Sequence, residues 1–98
     1  MKKNYFEELF NTIESRQKSN NKNSYTKKLL KLGPRKIAQK VGEESTELII
    51  DYLKGSKKRT TEEAADLIYH LFVLLHSKKI SLKNIEKEIN KRKNVRRK

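Results

Sequence analysis

"RKIAQKVGEESTELIIDYL", residues 35–53, decides the fold class and raises the first chemical question. Ile37, Val41, Leu48 and Tyr52 recur at the spacing of a core-facing helical stripe. Glu44 falls on the middle of that stripe, while Lys40, Glu47 and Asp51 line one shoulder of it. A buried carboxylate without a partner either costs several kcal/mol or shifts its pKa until it neutralises, so a cation is expected to face it.

Outward from this segment the pattern stays helical. No stretch alternates with period two for long, and Gly and Pro punctuate sparsely, so the fold class expected is all-α: a small bundle of about four to five helices. "NYFEELFNTIESRQ" places Phe6, Leu9, Phe10 and Ile13 on one face. "KSNNKNS" reads as a polar loop, after which Ser24 caps a short helix through "YTKKLLKL". Gly33 and Pro34 open the long helix quoted above, and Gly55 closes it. "TTEEAADLIYHLFVLLHSKK" opens with threonine caps and acidic first-turn residues, and "SLKNIEKEINKRK" starts on Ser81 and buries Leu82, Ile85 and Ile89. There is no internal repeat. One domain over 1–92 is expected, followed by a basic tail over 93–98 that frays.

The helix over about 61–77 is apolar nearly all round, with Leu67, Ile68, Tyr69, Leu71, Phe72, Val73, Leu74 and Leu75 covering most of its circumference. A chain of 98 residues with 34% hydrophobic content has difficulty covering such a helix on every side. A homodimer with this helix at or near the interface is therefore expected; the alternative is a central helix wrapped by its own neighbours.

Composition excludes several classes. With no cysteine there is no disulfide and no thiolate nucleophile or metal site, and two histidines leave little for zinc, so any metal must be held by oxygen, which favours magnesium or manganese. There is no N-terminal apolar run of signal-peptide type, and "LIYHLFVLL" is too short to span a bilayer; a cytoplasmic protein that does not engage a membrane is expected. The net charge of +13 suggests a polyanion partner, but six of the positive charges sit in "KRKNVRRK" and the rest are scattered. Aromatics are few and no stacking platform is visible, so nucleic acid is not the expected partner.

The second helix repeats the anomaly of the first. Glu63, Asp66 and His70 form a narrow polar stripe at i, i+3 and i+7 on an otherwise apolar cylinder. Antiparallel packing of the two helices brings Glu44/Glu47 and Glu63/Asp66 face to face. Four carboxylates in one pocket repel, and either protonation or a bound divalent cation must resolve that.

These residues carry a family resemblance. "SYTKKLLKLGPRKIAQKVGEESTELIIDYLKG" followed by "EEAADLIYHLFVLL" resembles the phosphoribosyl-ATP pyrophosphohydrolase family, within the all-α nucleoside-triphosphate pyrophosphohydrolase superfamily, from about Phe6 to Arg92. The superfamily motif Glu-Glu-x-x-Glu followed by Glu-x-x-Asp stands here as Glu43, Glu44, Glu47, Glu63 and Asp66. Two departures are Ser45, where family members often carry alanine or glycine, and the richer basic tail. The resemblance implies a magnesium-dependent hydrolase that converts phosphoribosyl-ATP to phosphoribosyl-AMP and pyrophosphate, the second step of histidine biosynthesis. It also implies the stand-alone form, since a fused cyclohydrolase would bring metal-binding cysteines and extra length. It further implies Glu44, Glu47, Glu63 and Asp66 as metal ligands, and Glu43, Glu44 and Glu47 as the catalytic carboxylates. Glu43 would orient or deprotonate the attacking water, or else be a solvated glutamate. Lys40 either contacts phosphate or only offsets the acidic cluster. Arg35 and Lys36, at the start of the helix, offer an anion contact. His70 is expected as a hydrogen-bond partner of a ligand, with core packing as the alternative. Two rival functions are a house-cleaning pyrophosphohydrolase acting on other (deoxy)nucleoside triphosphates and a small basic RNA-associated protein.

Overall fold

The computed structural model describes residues 4–19 and 24–93; the middle of the "KSNNKNS" loop and residues 94–98 of the expected tail lie outside the described residues. Among the described residues the chain is all-α, with five helices and no strand: α1 (Tyr5–Lys18), α2 (Tyr25–Leu32), α3 (Pro34–Lys54), α4 (Lys57–Ser77) and α5 (Leu82–Arg92). Local chemistry starts each one. The Asn4 side chain accepts from the Glu7 N–H at 3.0 Å, and Ser24 caps α2 through the Lys27 N–H at 3.2 Å. Gly33 ends α2 and begins α3 with φ of +97°, a conformation that glycine adopts without the Cβ penalty, and Pro34 follows in the first turn of α3. Ser81 and Asn84 cap α5 reciprocally.

The start of α4 corrects the sequence reading. Its cap is Ser56, whose hydroxyl accepts from the Arg59 N–H at 3.0 Å, so the helix begins a full turn before the threonines and its first turn carries no acid. Thr61 turns its hydroxyl back to the Lys57 carbonyl, and the Thr60 hydroxyl lies between the carbonyls of Asp51 at 3.1 Å and Ser56 at 2.9 Å. The Thr60–Asp51 contact joins α4 to α3 across the turn and fixes their register.

Ile13 of α1, Leu29 of α2, Ile37 of α3 and Phe72, Val73 and Leu75 of α4 form the buried core. Phe10 and Phe6 set their rings edge-on to Phe72, at centroid distances of 5.4 and 6.4 Å. The most extensive contact is between α3 and α4, and α1, α2 and α3 all pack on α4. Thus α4 is largely wrapped by its own neighbours: of its large apolar residues only Leu71 is exposed. Two expected core residues are instead outside. Tyr52 is 74% exposed because the end of α3 lies opposite the polar start of α4, and Ile89 is 62% exposed because only Leu82 and Ile85 of α5 reach the core. No described helix is long and apolar enough to cross a membrane.

Candidate functional site

With Asp51 opposite Thr60 and only Gly55 and Ser56 joining α3 to α4, each further turn away from the connection pairs another set of side chains. The register carries the acidic stripes of both helices to one place. Oxygens of Glu44, Glu63 and Asp66 lie within 4.8 Å of one another. Glu44 is 9% exposed and Glu63 only 4%, while Asp66 faces solvent and leaves the cluster open on one side.

Each of the two buried carboxylates has a cation beside one oxygen only. Glu44 Oε2 lies 3.9 Å from Lys40 Nζ, and Glu63 Oε2 accepts from Arg59 Nη2 at 2.8 Å. Oε1 of each is buried with no hydrogen-bond partner. Burial raises the Glu63 pKa, and repulsion from the nearby Glu47 and Glu44 carboxylates acts in the same direction, against the pull of Arg59. Glu47 itself is exposed, beside Glu63 but outside the tightest trio. A buried orphan oxygen on each of two facing helices, with a third carboxylate at the mouth, is a donor set of hard oxygens suited to a small divalent cation.

The remaining expected residues surround this cluster. Glu43 accepts from Gln39 Nε2 at 2.8 Å and lies 3.4 Å from Lys40 Nζ; the Gln39 hydrogen bond first, then Lys40, holds its pKa below the usual glutamate value. Glu43 and Glu47 share a shallow groove of about 570 Å³ with Gln39, Gly42 and Thr46. Burial opposes protonation of Lys40, but Tyr25, Glu43 and Glu44 together raise its pKa, so it stays an ammonium. Arg35 and Lys36 are exposed in the first turn of α3, whose N-terminus no side chain caps.

His70 is buried, and Nδ1 lies 2.8 Å from the Asp66 backbone carbonyl. A carbonyl only accepts, so Nδ1 carries a proton, and Nε2 hydrogen-bonds the Tyr25 hydroxyl at 3.0 Å. His70 thus ties α2 to the backbone beneath Asp66 and does not touch its carboxylate.

Sequence reasoning missed two participants. Tyr25 was visible only as the first residue of α2. Arg59 lies before the threonine start expected for the helix over about 61–77, although its spacing of three and four residues from Glu62 and Glu63 is that of helical ion pairs.

The family model described as phosphoribosyl-ATP pyrophosphohydrolase matches residues 6–93. A phosphoribosyl-ATP pyrophosphatase of Bacillus cytotoxicus is 48% identical over 84 residues, covering 86% of this chain and 78% of the relative. Another, of Jannaschia sp., is 44% identical over 86 residues, covering 88% and 84%. The histidine biosynthesis bifunctional protein HisIE of Staphylococcus aureus is 45% identical over 84 residues; this chain spans 40% of its length.

Proposed function

Because the chain belongs to the phosphoribosyl-ATP pyrophosphohydrolase family, we propose that the pocket between α3 and α4 is its active site, with Glu44, Glu47, Glu63 and Asp66 holding a divalent cation. Its reaction is hydrolysis of phosphoribosyl-ATP to phosphoribosyl-AMP and pyrophosphate, in histidine biosynthesis. The observation that supports this use of the pocket is the pair of orphaned inward oxygens, Glu44 Oε1 and Glu63 Oε1, beside Asp66. Magnesium is the cation proposed, with manganese as its substitute, since both take oxygen ligands and leave positions for phosphate. When bound, the cation supplies charge neutralisation on the phosphates and activation of water.

The chain's own residues do the rest. Glu43, with its lowered pKa, is suited to orienting the attacking water rather than taking its proton, and it opens onto the same groove as Glu47. Lys40, an ammonium at the cluster's edge, contacts phosphate. Arg35 and Lys36 draw the anion to the open N-terminus of α3. His70 and Tyr25 fix the α4 backbone that carries Asp66. The setting proposed is the cytoplasm, and the assembly a homodimer.

The test is pyrophosphate release with and without magnesium, from phosphoribosyl-ATP and from a panel of deoxynucleoside triphosphates. Turnover of phosphoribosyl-ATP that needs the cation and exceeds the panel is expected. Preference for the panel would assign the house-cleaning activity, and turnover unaffected by chelator would remove the cation from the pocket.

A further inference from the structure

Arg59 is the one described cation hydrogen-bonded to a carboxylate of the Glu44, Glu63 and Asp66 trio, and it grips more than that carboxylate. Nη2 donates to Glu63 Oε2 at 2.8 Å, Nη1 donates to Glu62 Oε1 at 2.6 Å, and Nη2 lies 3.9 Å from Asp51 Oδ2 on α3. The guanidinium is therefore anchored on both helices, with its side chain 53% exposed, while the Glu63 side chain beneath it is almost fully buried. A glutamate's terminal torsion is broad and has little preference of its own, so an unheld carboxylate would turn in its pocket. Here one oxygen is held from outside, and Oε1 is left inside without a partner, beside Glu44 and Asp66.

We infer that Arg59 is a positioning residue of the cation site, holding Glu63 by its outer oxygen so that the inner oxygen is presented to the cation. The inference rests on the reading of the α3–α4 pocket as a cation site. Two effects of Arg59 oppose each other there. Its charge repels an incoming cation, whereas its hydrogen bond fixes a ligand. Half exposure screens the first. Partners that orient metal ligands are commonly worth 10- to 100-fold in metal affinity, so the second should win.

The sign of the change makes this testable without turnover. Manganese is titrated into the metal-free parent, Arg59→Gln and Arg59→Lys, with free ion followed by its paramagnetic signal and folding followed by circular dichroism. Arg59→Gln should bind manganese about tenfold more weakly, although a positive charge has been removed. Arg59→Lys, which keeps the charge but loses the fork, should also bind more weakly than the parent, and it serves where Arg59→Gln does not fold. Binding equal to or tighter than the parent in the folded variants overturns the inference and leaves the cation site standing. A parent that binds no manganese overturns the cation site, and the inference with it.

Discussion

Glu63 bears the largest conflict at the scale of single residues. Burial, then Glu47 and Glu44, raise its pKa against the pull of Arg59. A carboxyl whose folded pKa stands above its unfolded value binds its proton more tightly when folded. Its contribution to stability is complete below the unfolded pKa and is lost as pH rises through the folded one. At neutral pH without metal the ionised group therefore works against the fold. Glu63→Gln removes the charge at nearly constant volume, so its metal-free melting temperature at neutral pH should exceed the parent's, with the difference shrinking as pH falls toward the ordinary glutamate range. Asp66→Asn, at the exposed mouth of the cluster, should leave the fold intact and lower turnover by about 10²-fold or more, the scale of losing one charge-stabilising group in a transition state. Magnesium should raise the parent's melting temperature by preferential binding to the native state, and should do so less in both variants. Parent-like turnover in Asp66→Asn would mean the acidic stripe is structural.

At the scale of elements, caps and registers divide what the sequence discloses from what it conceals. Ser24 and Ser81 are readable as caps because each stands alone before a periodic run. Ser56 and Thr60 compete for the start of α4 with nearly equal intrinsic preference, and "TTEE" looks the more helix-like start. The tie is broken by tertiary structure: Gly55 lets the chain double back at once, and Thr60 spends its hydroxyl on the Asp51 carbonyl. That one misplaced boundary hid Arg59, since a residue placed ahead of the helix has no helical neighbours to pair with. The acidic stripes escaped this because their spacing survives any choice of start. The C-terminus of α4 supplies a prediction of its own. Lys79 takes φ of +63°, its N–H bonds the His76 carbonyl at 2.9 Å, and the Ile80 N–H bonds the Leu75 carbonyl at 2.9 Å. This is a complete Schellman cap built on a residue with a Cβ penalty. Lys79→Gly removes the penalty and loses an exposed side chain. After the added entropy of an unfolded glycine is counted, it should raise stability by up to about 1 kcal/mol in denaturant melts. A loss of stability would mean the lysine stem packs usefully on the cap.

At the scale of the whole molecule, the apolar face left for a second copy lies on α3 and not on α4. The helix that looked too apolar to cover is covered, by α1, α2 and α3. The helix that looked ordinary carries Ile49, Ile50, Tyr52 and Leu53, each more than half exposed and together spanning one face at i, i+3 and i+4 spacing. A twofold interface sets the same patch of both copies together, and burying this face against its own copy would take its four apolar side chains out of water. Light scattering should thus give about twice the 11.6 kDa of the chain. Leu53→Glu should shift the mass to one chain while changing its helicity little, because the side chain is already outside the core of the single chain. A charge at the buried Val73 should instead unfold it. Each copy carries a net charge of +13, so the copies repel, and raising salt should tighten the association while leaving the apolar contact untouched. A parent that stays monomeric at micromolar concentration in high salt would leave the α3 face without its proposed partner and return the dimer to an unsupported expectation.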